Sequence, residues 1–249
     1  MKQFDIIATS AMGLESIVAK EVRDLGYDCQ VENGKITYKG DQSAIARSNL
    51  WLRSADRVKI KVAEFKAYSF DELFEKTKAL NWEDYLSADV EFPVSGKSVK
   101  SKLYSVPDCQ AIVKKAIVDR MKSKYKQVSW FAETGPLFKI EVSILKDVVT
   151  LTIDTSGAGL HKRGYRTGQG EAPLKETLAA ALIMLTNWKA DKPFIDPFCG
   201  SGTIPIEAAL IGQNIAPGFN REFVSETWSW MDSKVWDEAR IEAEDLADY

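Results

Sequence analysis

The sequence predicts two successive α+β modules followed by the opening of an α/β domain. Three observations predict this. Apolar residues switch between strand and helix spacing from Phe4 to Ile153, and the regularity then breaks in a glycine-rich stretch between Thr155 and Ala172. Beyond it, an apolar helix and a short strand run into the loop Asp196-Pro197-Phe198-Cys199-Gly200-Ser201-Gly202-Thr203. At 249 residues the chain has room for two ordinary domains, or for one and part of another.

The first module opens with a strand, Phe4 to Thr9, and an amphipathic helix whose stripe is Leu14, Ile17, Val18, Val22 and Leu25. Gly26 closes that helix as a residue free to take positive φ. Asn33-Gly34 is a hairpin signal before a strand at Lys35 to Tyr38. A helix over Gln42 to Leu52 and an alternating strand over Arg57 to Ala63 complete the round.

The second module repeats the pattern: a helix near Phe70 to Leu80, a strand near Val90 to Val94, and a long helix from about Pro107 to Lys124. Strands at Phe138 to Val142 and Val148 to Ile153 follow. Cys109, Ile112, Val113, Ala116, Ile117 and Met121 form the long helix's buried stripe, with Lys115, Asp119, Lys122 and Lys126 on another face. After the glycine-rich junction, Pro173 stands where an N1 proline would, and Leu174, Leu178, Ala181, Leu182 and Leu185 recur at helical spacing. Phe194-Ile195 is the short strand before the loop, and Thr203 to Ile211 opens the next helix. An acidic helix occupies the region around Glu238 to Asp248, and Trp228, Trp230 and Trp236 before and within it suit aromatic core packing.

Composition excludes several classes. No run approaches the roughly 18 consecutive apolar residues of a membrane span, and the N-terminus has no signal-peptide core, so a cytoplasmic protein is expected. Cys29, Cys109 and Cys199 are odd in number and form no CxxC pair, which suggests neither disulfides nor a zinc knuckle. With His161 as the single histidine, metal sites and nucleophilic triads have little to work with, although a lone base is left open. Charge is segregated. Gly96 to Lys126 carries nine Lys or Arg against Asp108 and Asp119, whereas Phe219 to Tyr249 carries nine Asp or Glu against Arg221, Lys234 and Arg240.

A strand, a glycine loop and a helix bring a nucleotide-like ligand to a helix N-terminus, and Gly200 and Gly202 remove the Cβ atoms that would keep backbone away. Two phosphate-binding loops do not match. A P-loop needs Lys before the Ser or Thr that follows its last glycine, but Thr203 follows Gly202 directly; a dinucleotide fingerprint wants glycine where Pro205 stands.

The segment Asp196 to Thr203 resembles cofactor motif I of amino-group methyltransferases. The resemblance extends upstream through Asp154 to Gly157, Leu160 to Arg166 and Ala172 to Glu176, and downstream through Ile206 to Ala209 and Ile215 to Arg221. Together these segments are similar to the bacterial THUMP-containing 23S rRNA guanine-N2 methyltransferases. Val106-Pro107-Asp108-Cys109-Gln110 and the basic helix after it carry the THUMP part. The resemblance implies a ferredoxin-like module over residues 1–64, a THUMP domain over 65–156, and over 157–249 a linker with the first part of a Rossmann-like class I methyltransferase domain.

It also implies S-adenosyl-L-methionine as cofactor, a cation with an amino-acid tail and no phosphate, to which a carboxylate at a strand end is suited. Asp196, Pro197, Phe198, Cys199, Gly200, Ser201, Gly202 and Thr203 are then cofactor residues, Asp196 engaging the methionine amino group directly or through water. Lys175 and Glu176 open the family's motif X helix near the methionine end. A plain tight turn for the loop, and an ordinary first helical turn for Lys175 and Glu176, are the alternatives.

RNA, with 23S rRNA as the substrate, is the implied partner. Candidate contacts are Lys114, Lys115, Lys122 and Lys124, and Arg163, Tyr165 and Arg166, where Arg suits phosphate and an aromatic suits a base face. A solvated helix face is the alternative for the lysines, and a solvated loop explains Arg163, Tyr165 and Arg166 almost as well. A non-catalytic RNA-binding module and a DNA amino-methyltransferase are the competing functions. The family's Asn-Pro-Pro-Tyr-type target motif does not occur in the sequence, so no catalytic residue is assigned. The chain is therefore expected to be an inactive portion of a longer enzyme, with an open strand edge that favours aggregation or a homodimer. Turnover by the purified 249-residue chain would overturn that expectation.

Overall fold

The computed structural model describes residues 2–126, 133–166 and 173–248. Gly168, Gly170 and Ala172 of the predicted junction, and Tyr249, lie outside the described residues. In chain order the elements are β1 (Phe4–Thr9), α1 (Glu15–Asp24), β2 (Cys29–Glu32), β3 (Lys35–Gly40), α2 (Gln42–Trp51), β4 (Arg57–Lys66) and α3 (Phe70–Lys78). Then follow β5 (Val94–Val99), α4 (Val106–Tyr125), β6 (Ile140–Leu145), β7 (Val148–Asp154), α5 (Glu176–Met184), α6 (Thr203–Gly212) and α7 (Ser233–Asp245). The strands hydrogen-bond in the order β2-β3-β1-β4-β7-β6-β5. The chain forms two compact units, one of Met1–Lys59 with Thr155–Tyr249 and one of Ile60–Asp154. Among the described residues no helix is long and apolar enough to cross a membrane.

In the first unit, β1 and β3 pair antiparallel from Phe4↔Gly40 to Thr9↔Lys35. β3 returns along β2 through the two-residue Asn33-Gly34 turn, with Gly34 at φ 73°. α1 buries Ile17, Val18 and Val22, as its periodicity predicts. α2 starts on Asp41, whose carboxylate accepts a hydrogen bond from Ala44 N. α7 is held to α2 by a two-pronged ion pair, Arg47 Nε to Glu242 Oε2 at 2.8 Å and Nη2 to Oε1 at 2.9 Å. Trp228 and Trp236 are buried, Phe223 stacks on Trp236, and Phe4 stacks on Trp230, so the tryptophans are core residues of this unit.

In the second unit β5 and β6 are parallel, with α4 as the crossover that parallel neighbours require. β7 then turns back antiparallel to β6. Gly96 lets α4 lie close to the sheet: a Cβ there would stand 3.1 Å from both Gln110 Cγ and Val142 Cγ1. α4 buries Cys109, Val113, Ala116, Ile117, Val118 and Met121, while Ile112 of the predicted stripe is only half-buried.

Four sequence expectations are corrected. β2 is a strand although none is predicted there, because its exposed side chains show no apolar alternation. The strand near Val90 to Val94 is displaced to Val94–Val99; Val90 and Phe92 are buried, but only Glu91 bridges, to Leu137. Pro173 is not at N1, since α5 begins at Glu176 after an extended Lys175. Phe194-Ile195 is not a strand: nothing among the described residues pairs with it, and Ile195 is 82% exposed.

In the second unit, Glu83 accepts from Arg120 Nε at 3.0 Å and Nη2 at 2.6 Å, and this pairing lowers its carboxyl pKa from the ordinary 4.5 to about 2. A depressed folded-state pKa contributes stability that is present above pH 4.5 and lost as the pH falls through about 2. Acid titration followed by fluorescence of the adjacent, buried Trp82 is expected to show a transition in that window, and Arg120→Ala is expected to move its onset to higher pH. An unchanged onset in Arg120→Ala would refute this assignment.

Candidate cofactor-binding site

The candidate site lies within the first unit, where the 160–166 segment, α5, the 196–202 loop and the start of α6 converge. The loop is built from its own polar atoms. Asp196 Oδ1 accepts from Phe198 N at 3.1 Å, and Cys199 O accepts from Gly202 N at 2.8 Å. Gly200 and Gly202 have φ values of 54° and 77°, a region glycine enters without a Cβ penalty, and Gly202 is the N-cap of α6. A Cβ at Gly200 would meet nothing within 4 Å, so the backbone on that side is uncovered.

Arg166 joins the two helices of the site. Its Nε donates to Glu176 Oε1 on α5 at 2.9 Å, and its Nη2 donates to Thr203 Oγ1 on α6 at 2.9 Å. Thr203 Oγ1 also lies 3.1 Å from Ser201 Oγ, so the loop, α6 and α5 are pinned at one point. Glu176 is buried, and Lys175 is exposed at the N-cap of α5.

Beneath this point is a buried charge network. Glu207 of α6 is fully buried and faces Arg163, itself 4% exposed, with Nε to Oε1 and Nη2 to Oε2 both at 3.4 Å. Arg163 also donates to Leu160 O at 2.8 Å and to Arg53 O. Tyr165 Oη donates to Glu207 Oε1 at 3.0 Å; burial, reinforced by the Glu207 charge, raises the phenol pKa well above its usual value. Glu21 of α1 accepts from Arg53 N at 2.7 Å, from Ser54 N at 3.1 Å and from the Ser54 hydroxyl. Burial raises the Glu21 carboxyl and lowers the Arg53 guanidinium, the latter to about 10. His161 is also held below its ordinary value, chiefly by burial.

The structure thus brings Glu176, Thr203, Ser201 and the motif glycines together, and it reassigns three candidates. Arg163 faces Glu207 and two carbonyls, with no surface left for a phosphate. Tyr165 and Arg166 are half-buried and engage Glu207, and Glu176 with Thr203, instead of facing outward. On α4, Lys114 donates to Glu133 Oε1 at 2.7 Å and lies 3.8 Å above the Phe92 ring, and Lys124 sits 3.5 Å from Glu83. Lys115 is exposed and Lys122 half-buried.

Sequence reading gave no role to Glu207, Glu21 or Arg53. The available signal was a lone carboxylate in the apolar helix Thr-Ile-Pro-Ile-Glu-Ala-Ala, and one on the buried stripe of α1, each of which needs a partner.

The chemistry of the loop fits a ligand with a cationic amine and no phosphate: it offers a carboxylate and open backbone, and no lysine or arginine stands between Asp196 and Thr203. Several large apolar side chains of the loop and of the two helices are exposed. Phe198 is 94% exposed, and Leu178, Leu182, Leu185 and Ile206 also face outward. α5 instead buries Ile183 and Ala179, Ala180 and Ala181, the alanines being small enough to let it lie close to α6. A groove of about 380 Å³ beside α6, lined by Trp188, Phe194, Pro205 and Ala209 among others, includes neither Asp196 nor Gly200.

Comparison with known proteins matches three family models in order: the RlmL ferredoxin-like domain over residues 5–59, the THUMP domain over 67–154, and the RMKL-like methyltransferase domain over 163–248. YpsC of Bacillus subtilis (strain 168), a candidate RNA methyltransferase, is 63% identical over 250 residues, covering 100% of this chain and 65% of its own length. The chain therefore spans somewhat less than two thirds of that curated relative. A Listeria monocytogenes protein (str. 4b F2365), described as a predicted N6-adenine-specific DNA methylase, superposes with a TM-score of 0.98 at 73% identity, covering 100% of this chain and 66% of that one. SMU.472, a candidate methyltransferase crystallised with SAH, gives a TM-score of 0.96 at 55% identity, again over 100% and 66%.

Breaking a buried ion pair on one side strands the other charge, at a cost of about 3–5 kcal/mol. Glu207→Gln is expected to lower the unfolding free energy extrapolated from urea titration by an amount in that range, and the double substitution Arg163→Met with Glu207→Leu to recover most of the loss. A double variant no more stable than Glu207→Gln would argue against the pair as the junction's central contact.

Proposed function

The chain belongs to the family of THUMP-containing methyltransferases, and from that premise we propose that it is the RNA-recognition and cofactor-binding portion of an S-adenosyl-L-methionine-dependent RNA methyltransferase of the cytoplasm. The observation that carries the reading is the Asp196–Thr203 loop, opening α6 from a left-handed Gly202 and pinned to α5 through Arg166. The bound cofactor supplies an electrophilic methyl group. The chain's own residues would do the positioning: Asp196 would hold the methionine amino group, the uncovered backbone at Gly200 would admit the ligand, and the Glu176–Arg166–Thr203 bonds keep α5 and α6 in register.

The acceptor in this reading is the exocyclic N2 of a guanine in 23S rRNA. A stacked base hides that amine, so the target is an unpaired or flipped nucleotide. In a protein of the relatives' length, the further third of the chain supplies the base-holding residues and covers the apolar surface around Phe198. A DNA amino-methyltransferase is the second reading, favoured by the description of the Listeria protein. The THUMP match favours RNA.

Calorimetric titration of S-adenosylhomocysteine tests the cofactor assignment. The wild-type chain is expected to bind, and Asp196→Ala to bind roughly ten-fold or more weakly, the effect of losing one charge-assisted hydrogen bond. Equal binding by both would displace Asp196 from the site. For the substrate, radiolabelled methyl transfer by a protein of the relatives' length into 23S rRNA is expected at guanine N2, with duplex DNA unlabelled. Labelling of DNA alone would exchange the two readings.

A further inference from the structure

We propose that one end of the Ile60–Asp154 unit, where the turn after β5 meets the β6–β7 turn, is the surface that binds an unpaired RNA strand. The inference rests on the RNA reading above and moves the contact away from α4.

Asp147 builds this end. Its main-chain O accepts from Ala67 N at 3.0 Å, its Oδ1 accepts from Lys102 N at 2.7 Å, and its N donates to Ser101 Oγ at 3.1 Å. Lys146 N donates to Val99 O at 3.1 Å. Three chain segments are thereby fixed side by side, and beside the exposed Val99 and Leu145 they present aromatic and basic side chains outward. Tyr104 is 83% exposed and Tyr68 45% exposed. Lys102 Nζ lies 5.0 Å from the Tyr68 ring centre, and Lys100 and Lys146 are exposed. Among the described residues none of these three ammonium groups pairs with a carboxylate, in contrast to Lys114 and Lys124 of α4.

Two features set this end apart from an ordinary solvated turn. Lys146-Asp147 is a two-residue hairpin turn with φ values of 50° and 64°, a geometry best served by Asn-Gly. Lys100 also takes φ 50°. Two lysines therefore occupy left-handed positions that disfavour them, and both lie on the same tip. Secondly, a tyrosine ring exposed as fully as Tyr104 contributes nothing to the core, whereas it offers a base a face to stack on. Exposed rings interleaved with lysines are the arrangement that holds single strands, the rings taking bases and the ammonium groups phosphates. A duplex, with its bases already stacked, could use only the charges.

Fluorescence anisotropy on the 249-residue chain tests this, with a 5′-labelled unstructured RNA of roughly twelve nucleotides and an RNA duplex of the same length as probes. Tyr104→Ala is expected to weaken single-strand binding about ten-fold and Tyr104→Phe to restore it, as stacking requires. Lys100→Gln and Lys146→Gln are each expected to reduce the slope of log affinity against log salt by about 0.7. Tyr104 is exposed, so its substitution leaves the core intact. Single-strand binding that is indifferent to Tyr104→Ala would overturn the proposed surface and leave the RNA reading standing. Preference for the duplex, with no dependence on Tyr104, would overturn the choice of an unpaired strand. A wild-type chain that binds neither RNA would remove the RNA reading, and this surface with it.

Discussion

The buried pairing of Arg163 with Glu207 is the constraint on which the candidate site depends. Two charges removed from water are stable only if each finds the other and their remaining hydrogen-bonding capacity is met. Arg163 meets this through Leu160 O and Arg53 O, and Glu207 through Tyr165. Each bond fixes a different part of the chain: the carbonyl of Arg53 belongs to the turn after α2, and Arg53 N is in turn held by Glu21 of α1. α6 therefore cannot rotate about its axis without stranding a carboxylate in the interior. Apolar contacts of equal area would tolerate such rotation, because they are not directional. The glycine loop sits at the N-terminus of this locked helix, and its orientation is inherited from the lock.

That dependence explains why the chain divides as it does. Residues 1–59 and 155–249 form one unit although 95 residues separate them in sequence. Asn49 donates to Thr155 Oγ1 and accepts from Ser156 Oγ, and Gly218 N donates to Leu50 O, so α2 is a shared platform for the chain before β4 and after β7. Gly218 is required for that approach, since a Cβ would come within 2.7 Å of Asn49 O.

Much of the fold was legible in the sequence because several elements carry a two-sided pattern: α1, α3, α4 and β6 each bury one face and expose part of the other, and their periodicity shows it. The failures have a common physical origin. β2 buries too little to show alternation, and Phe194-Ile195 has the apolar composition of a strand without a partner to make it one. Leu178, Leu182 and Leu185 have helical spacing, but the alanines on the other face of α5 are what pack, a choice made by α6 and invisible to periodicity. The motif loop was legible as a ligand-binding turn from its glycines, and its cofactor chemistry only through the resemblance to a known motif. Arg163, Tyr165 and Arg166 were legible as a cluster, but the sequence could not show whether the cluster faces a phosphate or a carboxylate, because Glu207 lies 44 positions from Arg163. The same holds on α4, where counting lysines overstated the charge available once Glu133 and Glu83 take their share.

The apolar surface around the loop and the polar chemistry of Asp196 are coupled. Two unit charges 4 Å apart attract by about 1 kcal/mol in bulk water and about 4 kcal/mol at the effective dielectric of a partly covered site. With Phe198, Ile195 and Leu182 facing solvent, Asp196 works near the first limit. Covering those side chains excludes water from the same volume, so the contact that buries them also strengthens the hold on a cationic amine. On the proposed function, closing the apolar face and tightening the cofactor are one event, and the buried Arg163–Glu207 lock is what keeps the loop in place to receive both.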